Sequence, residues 1–228
     1  MGASGRDRRK PSFFFLRAGV PLRPEQVLDE AFTARYEGIA ADVEIYIDDG
    51  HGSSRERRLS MLTKLIDERI RSLGRVQSPE YLRCMGLLNI ETEIGGENSF
   101  VFLPAIGRVR RVSSAERSGA FLGSDLTFED FQRLRGKDFD VALLARGSMD
   151  GEAVLILDAR PRLESQYDRV QFAAADTASA IPETRYYTRA SRTDLLLHDL
   201  KIKPKLDDHV FSLKTLLRQI GGVPEVAR

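Results

Sequence analysis

The 228-residue sequence contains a single cysteine, Cys84, and no tryptophan. One thiol cannot form an intramolecular disulfide, so the fold does not depend on a disulfide framework. No apolar run approaches the roughly 18 residues that a bilayer-spanning helix needs. Basic and acidic residues nearly cancel, at 35 and 34, with a formal net charge of +1. This balance argues against a general nucleic-acid-binding protein, which usually carries a clear basic excess.

Motifs of catalysis and metal binding are also missing. The sequence has no G-x-S-x-G elbow, no Walker sequence and no G-x-G-x-x-G after a strand. Three scattered histidines, His51, His198 and His209, have no cysteine or histidine partner at metal-ligand spacing. Cys84 stands in the apolar stretch "YLRCMGLL", which is typical of a packed thiol rather than a nucleophile. We therefore expect neither a metal site nor a cofactor.

The N-terminal residues differ in composition from the rest. Residues 1–20 are rich in Gly, Ser and Arg, which predicts a disordered leader or a replaced start, followed by one domain over 21–228. A basic start precedes three phenylalanines at 13–15, but this apolar core is too short for a signal peptide, and Arg17 interrupts it.

Local patterns predict one helix and then many short strands. Pro24 and Glu25 suit a first helical turn, and the spacing predicts a helix over 24–38 that stops at Gly38. "DVEIYID" alternates with period two, as a strand with one buried side does. From residue 87 the pattern is that of antiparallel hairpins, and "DDHVFSLKTLLRQI" predicts a terminal helix or helical turn. The absence of βαβ alternation argues against a parallel doubly wound sheet and favours an antiparallel, curved one.

Residues 55–76 fit two patterns. Leu62, Leu65, Ile66, Ile70 and Leu73 form a helical stripe, whereas the odd-numbered residues 59–65 suit one side of a strand. Local propensity favours the helix.

The stretch 108–125, "RVRRVSSAERSGAFLGSD", concentrates four arginines, a serine pair and two glycines. A phosphate-binding loop, a kinase target, an anion or acidic-partner site and a solvated strand face all remain open from its chemistry alone. The nearby acidic trio Asp125, Glu129 and Asp130 suits either a turn cap or a carboxylate-based active site.

A longer segment, "FVFLPAIGRVRRVSSAERSGAFLGSDLTFEDF", closely resembles the signature block of the outer-membrane lipoprotein-sorting, LolA-like, family. The matching positions are Leu103, Pro104, Ala105, Arg108, Val109, Arg110, Arg111, Ser118, Gly119, Phe121, Gly123, Ser124, Asp125, Phe128, Glu129 and Asp130. Arg117 lies within the same block. The resemblance covers roughly residues 25–217. It departs from the family at Cys84 and Met85, which stand before Gly86, and in the alanine-rich stretch 171–181.

The resemblance implies an α+β fold in which a strongly curved antiparallel half-barrel has helices covering its concave face. On that basis we predict two strands, not a helix, over 55–76, because tertiary context overrides propensity. It also implies a monomeric, non-catalytic periplasmic carrier for acyl chains of lipids or lipoproteins, working with an inner-membrane transporter or an outer-membrane acceptor.

Amphipathic strands suit such a carrier, since an apolar cavity binds hydrocarbon by removing it from water. The candidate cavity residues, chosen as one strand face, are Leu88, Ile90, Phe100, Phe102, Leu155, Leu157 and Phe172. Ordinary core packing is an equally good interpretation of each.

Two alternative functions stay open. An envelope adaptor would meet an acidic partner through Arg108, Arg110, Arg111 and Arg117, with binding that weakens as salt rises. An enzyme would use the half-barrel as a substrate pocket, with the acidic trio as its catalytic group.

Overall fold

A computed structural model describes residues 23–93, 96–131 and 134–218, apart from the side chains of Ser114 and Glu129. The predicted leader lies outside these residues. The helices and strands in chain order are α1 Pro24–Glu37, β1 Gly38–Asp48, β2 Ser54–Ile66, β3 Arg69–Ser78, β4 Gly86–Glu91, β5 Glu97–Leu103, β6 Arg108–Arg111, β7 Phe139–Met149, β8 Glu152–Pro161, β9 Arg169–Ala175, β10 Glu183–Tyr187, β11 Arg192–Ile202 and α2 Leu213–Leu217.

The strands form one sheet in the order β6-β5-β4-β3-β2-β1-β11-β10-β9-β8-β7, and every pair of neighbours is antiparallel. Strands β1–β6 and β7–β11 are thus two meanders that join where β1 pairs with β11, for example at Val43 and Leu197. Strands β6 and β7, consecutive in the chain, lie at opposite edges. The chain between them must therefore travel across the whole sheet.

Helix α1 begins and ends where the sequence predicts. Pro24 occupies the first turn, where its missing N–H is not needed, and Glu25 lies near the positive end of the helix. At Gly38 the backbone has a φ of 154°, which stops the helix and starts β1.

Residues 54–78 form the β2–β3 hairpin, so the two predicted strands are confirmed and the locally favoured helix is wrong. The physical reason is that this hairpin is buried on both sides. Leu59 and Met61 belong to one hydrophobic cluster, whereas Leu62 and Ile66 belong to another. A strand with two buried faces carries apolar residues at both parities, which imitates a helical stripe.

The sheet has two covered faces. On the first, which we call the α1 face, the larger cluster joins Leu28 and Phe32 of α1 to strands from both meanders. On the second, the α2 face, Phe211 and Leu216 pack on a smaller cluster that includes Leu73 and Phe102. Helix α2 contacts β4, β5 and β6.

The sheet is large, open and curved. Helix α1 contacts β2 and also β9 and β7, although several strands separate β2 from those two in the sheet. A flat sheet would hold these strands too far apart for one helix of 14 residues to reach them. Within the described ranges, neither helix has the length and apolar character needed to cross a membrane.

Candidate ligand-binding face

Residues 112–138, which we call the crossing segment, connect β6 with β7 over the α1 face. The segment leaves the first edge by pairing with β5, where the Val112 N–H donates to the Ser99 carbonyl at 2.8 Å. The Arg117 guanidinium donates to the Glu97 carbonyl at 2.6 Å. These two contacts hold the start of the segment against the edge of the first meander.

A buried arginine of β2 holds the middle of the crossing segment. Arg57 is 6% exposed, and its Nε donates to the Leu122 carbonyl at 3.2 Å. Leu122 and Gly123 both have positive φ, 54° and 70°, so glycine suits the second position of this turn. The Ser124 hydroxyl closes the turn by donating to the Phe121 carbonyl at 2.6 Å. Gly123 of the signature therefore shapes a turn in this connection.

Two acids of the predicted trio anchor the segment further along. The Asp125 carboxylate accepts hydrogen bonds from Ser191 at 2.5 Å and from Thr193 of β11 at 2.8 Å. The Asp130 carboxylate accepts from the Tyr167 hydroxyl at 2.5 Å and from the Thr127 N–H at 2.6 Å. Burial, together with the Asp130 charge, raises the pKa of Tyr167. Both acids serve as structural anchors, while the Glu129 side chain lies outside the described part.

The end of the crossing segment is attached to α1. The Leu134 N–H donates to the Tyr36 hydroxyl at 2.7 Å, and the Gly136 N–H donates to the Asp29 carboxylate at 2.5 Å. A Cβ at Gly136 would lie 2.5 Å from the Glu25 carbonyl oxygen, so only glycine allows this approach. Helix α1 and the described residues of the crossing segment, 112–131 and 134–138, thus together cover the α1 face.

A small apolar recess, with room for about one water-sized molecule, lies between this cover and strands β2–β4. It is lined by Leu59, Gly74, Val76, Met85, Gly86, Leu87 and Phe121. Phe121 comes from the cover and packs edge-on against Phe131, with ring centroids 4.9 Å apart. Pockets for drug-sized ligands start at about 300 Å³. The recess is therefore smaller than a site for a whole acyl chain, and the protein's own side chains fill most of the face.

The seven predicted cavity residues do not lie on one face of the sheet. Leu155, Leu157 and Phe172 belong to the cluster on the α1 face, and Phe172 packs edge-on against Phe32 of α1. The other four lie on the α2 face, where they form or border the smaller cluster: Leu88, Ile90, Phe100 and Phe102. The alternating pattern identified buried strand positions but could not say which parity faces which cover. Their role in lipid binding stays a prediction.

The signature arginines lie at the β6 edge, and three of them have partners. Arg110 forms an ion pair with Glu116 at 2.8 Å, Arg111 donates to Asn98, and Arg117 holds the Glu97 carbonyl as described above. Arg108 is exposed. Of the remaining signature positions, Ser118 and Gly119 are exposed turn residues, and the Gly119 N–H donates to the Glu116 carbonyl.

A row of polar side chains, three of them buried and one half-buried, crosses the α1 face beside the recess. Thr63, Ser72, Asn89 and Ser99 are successive Cα partners on β2, β3, β4 and β5, and we call them the polar row. Asn89 is only 1% exposed. Within residues 23–93, 96–131 and 134–218, neither its Nδ2 nor its Oδ1 has a hydrogen-bond partner. Sequence reasoning missed this row, although the polar parity of "LLNIETEI" was its visible signal.

Glu97 lies on the same face, two residues before Ser99 on β5. It is 8% exposed, and burial raises the pKa of its carboxyl to about 8, against the opposing effect of Arg117 and with a smaller contribution from Glu91. The described residues offer no partner to Glu97 Oε2 or to Arg117 Nε. This end of the α1 face therefore holds buried donors and acceptors together.

The histidines and the cysteine form no site in the part of the chain that the structure describes. No group of three or more His, Cys, Asp or Glu residues is placed there to hold a metal ion. His198 lies 3.2 Å from the Glu44 carboxylate, and Cys84 is a half-buried free thiol. The Cys84 carbonyl accepts a hydrogen bond from Arg75.

Comparison with known proteins gives one family match. The family model that matches residues 68–192, more than half of the chain, carries the description "-like: Uncharacterized protein". No curated protein sequence matches the chain.

Solved structures of bacterial proteins share the fold. A proposed outer membrane lipoprotein-sorting protein domain from Vibrio parahaemolyticus is 19% identical with a TM-score of 0.59, over 86% of this chain and 98% of that one. A DUF1329 family protein from Desulfovibrio piger is 20% identical with a TM-score of 0.59, over 86% and 100%. A LolA superfamily protein from Nitrosomonas europaea is 16% identical with a TM-score of 0.50, also over 86% and 100%. These likenesses support the predicted curved antiparallel fold.

Proposed function

We propose that this chain, a member of the family whose model matches residues 68–192 and similar in fold to a LolA superfamily protein, is a non-catalytic carrier that binds acyl chains of lipids or lipoproteins on its α1 face. The observation that carries this proposal is the construction of that face. Apolar side chains from both meanders form a continuous surface there, and a helix and an irregular segment, rather than a second sheet, cover it.

The cover is attached in a way that suits opening. The cover meets the sheet through hydrogen bonds with Arg57, Ser191 and Thr193 and through apolar packing, for example of Phe32 against Phe172 and of Phe121 in the larger cluster. An acyl chain that replaced these contacts would gain about 0.8 kcal/mol for each buried methylene. Since the recess is too small for a whole chain, binding would require the cover to move away from the sheet.

This mode of binding assigns each part a role. The α1 face is the concave face of the half-barrel, and α1 and the crossing segment are its lid. Asp125 and Asp130 fasten that lid and perform no chemistry. A carrier needs no catalytic group, because burial of hydrocarbon supplies the binding free energy.

The fold relatives point to the bacterial envelope. One of them is described as a domain for outer membrane lipoprotein sorting. We therefore place this protein in the periplasm, where a monomer would collect acylated cargo from an inner-membrane transporter or deliver it to an outer-membrane acceptor.

Two measurements test the proposal. Lipid extraction and mass spectrometry of the protein purified from producing cells should release acylated molecules in a fixed ratio to protein. A fluorescent acyl probe should bind the delipidated protein saturably. If the purified protein carried no lipid and bound no acyl probe, the proposed carrier function would be wrong.

A variant sharpens the test at the recess. Gly74 lines the recess in an extended strand, and a Cβ there would lie 3.5 Å from Leu59 Cδ1, an ordinary contact. Gly74→Val should therefore fold normally and fill the recess, with acyl-probe affinity about tenfold weaker, which corresponds to about 1.4 kcal/mol. Unchanged affinity would show that acyl chains bind elsewhere.

A further inference from the structure

The polar row and the recess lie end to end on the α1 face. Gly74 and Leu87, which line the recess, are Cα partners on β3 and β4. Ser72 and Asn89 are the next partners that point to the same face, two residues further along each strand. With a strand rise of about 3.3 Å per residue, the two features are about 7 Å apart. A ligand whose hydrocarbon part enters at the recess, once the cover has moved away from the sheet, can reach the polar row with its other end.

The unpartnered atoms near the row include both donors and acceptors. Asn89 Nδ2 and Arg117 Nε carry N–H donors, while Asn89 Oδ1 and Glu97 Oε2 are oxygens; within the described ranges none of the four has a partner. Native proteins satisfy nearly all buried polar atoms, so a concentration of unsatisfied ones needs an explanation. A hydroxyl or an amide of a ligand both donates and accepts, whereas an ester or a carboxylate only accepts.

The surrounding charges favour an uncharged ligand group. The carboxyls of Glu91 and Glu97 face this end of β4 and β5, and Arg117 is the cation beside them. An anionic head group would enter next to the Glu91 carboxyl and would lose its hydration, which is costly for a charge in a buried site, and Glu97, protonated at pH 7, would not compensate it. A neutral hydroxyl or amide avoids both costs.

We propose that the polar row, with Glu97 and Arg117, binds the hydroxyl- or amide-bearing uncharged end of a single-chain acyl lipid whose hydrocarbon part enters the recess. This inference rests on the proposed carrier function, because it uses the recess as the site of the acyl chain. Fatty-acid anions and simple esters lie outside this ligand class, because they carry neither a neutral hydroxyl nor an amide group.

The first test uses the unaltered protein and four ligands of equal chain length. They are a 1-monoacylglycerol, an N-acylethanolamine, a fatty-acid methyl ester and a free fatty acid, each competing with a fluorescent acyl probe at pH 7. The first two should bind at least tenfold more tightly than the methyl ester and the free acid. Equal affinity of all four would overturn this inference and leave the carrier function standing, whereas no binding by any would overturn both.

The second test removes the amide of the polar row. Asn89→Leu keeps a side chain of similar size on β4, and it should reduce the preference for hydroxyl and amide ligands to less than threefold while methyl-ester binding stays unchanged. Ser60→Ala is the matched control, because Ser60 is a buried polar residue on the α2 face whose Oγ also lacks a partner among the described residues. The control should retain the full preference. If Asn89→Leu also retained it, the polar row would not be the site.

Discussion

Two deeply buried polar side chains, one on each face of the sheet, differ in their hydrogen bonding. On the α2 face, Arg75 is 3% exposed, and its guanidinium donates to three carbonyls, those of Cys84 at 3.1 Å and of Thr215 and Leu216 at 3.0 Å. On the α1 face, the equally buried Asn89 has no partner for either amide atom within the described ranges. Arg75 is therefore fully engaged, whereas Asn89 can still form hydrogen bonds; Ser60 shows that the α2 face also holds a buried polar atom without a partner among the described residues.

The difference distinguishes a buried polar group that stabilises the fold, Arg75, from one that is available to a ligand, Asn89. Two of the carbonyls that Arg75 engages, those of Thr215 and Leu216, lie at the end of α2, where a cation also suits the negative end of the helix. The interaction fixes the C-terminal segment on the sheet. An unsatisfied buried amide does the reverse, because it costs folding free energy without stabilising the native state. The ligand proposed above would supply the missing hydrogen-bond partner of Asn89.

The largest expected effect comes from a matched pair of phenylalanines. Phe121 on the α1 face and Phe211 on the α2 face are 2% and 1% exposed. Replacement of either by alanine should lower the free energy of unfolding by about 3–5 kcal/mol. Only Phe121→Ala should also strengthen binding of a long-chain acyl probe, because only that change enlarges the recess. Denaturant titrations and probe binding measure both effects, and equal changes in affinity would erase the distinction between the faces.

The next effect tests how much the Arg75 hydrogen bonds on the α2 face contribute to stability. Arg75→Met should lower the free energy of unfolding by about 3 kcal/mol, because three carbonyls, one of them in a fully buried hydrogen bond, lose their donor. Arg75→Lys should lose less, since an ammonium keeps the charge but not the planar fork. Denaturation midpoints at constant slope give the comparison. A Met variant as stable as the parent would mean that the Arg75 contacts do not secure α2.

Glu97 provides a pH-dependent test of the α1 face. Its pKa is about 8 in the folded protein, against 4.5 for an ordinary glutamate. Between these values the folded state holds a proton that the unfolded state has lost, so stability should fall as pH rises, by about 1.4 kcal/mol per unit from this group. The contribution is complete below pH 4.5 and lost above about 8.

The matched variant is Glu97→Gln, which cannot ionise. Parent and variant should have similar unfolding free energies near pH 5, and the variant should be the more stable near pH 8. Parallel pH profiles for the two proteins would show that Glu97 is not held in a buried, protonated state.

The smallest effect concerns the arginine-rich edge. Arg110 and Glu116 form an exposed pair, and such pairs contribute about 0–1 kcal/mol. Arg110→Ala should therefore change stability by less than about 1 kcal/mol and leave acyl-probe affinity unchanged at low and high salt. A strong, salt-dependent loss of partner binding in this variant would favour the adaptor function instead.

Much of the fold follows from the sequence. The helix at 24–37 has its proline start and glycine stop, and the later strands alternate clearly. The hairpin at 54–78 came from family resemblance, because a strand buried on both faces has no clean alternation. Where one parity is apolar, sequence identifies the strand; where both are, it does not.

The candidate site was harder to predict, for a related reason. In "LLNIETEI" the polar parity suggests the solvent side, yet it is the parity that faces the crossing segment. A cover that arrives from the opposite edge of the sheet leaves no trace in the local pattern of the strand it covers. For the same reason, the sequence analysis assigned Leu88 and Leu157 to one strand face, although they lie on opposite faces of the sheet.

The pairing of β1 with β11 has a consequence for how the chain folds. Within each meander, neighbouring strands are also neighbours in sequence. Each meander can therefore form strand by strand, starting from its own turns. The contact between Val43 and Leu197 closes a loop that contains most of the chain, and such distant pairings form late and slowly. We expect the seam at β1–β11 to be the rate-limiting contact of refolding. Until it forms, both meanders present their apolar sides to water, which makes the unfinished chain dependent on rapid closure or on protection from aggregation.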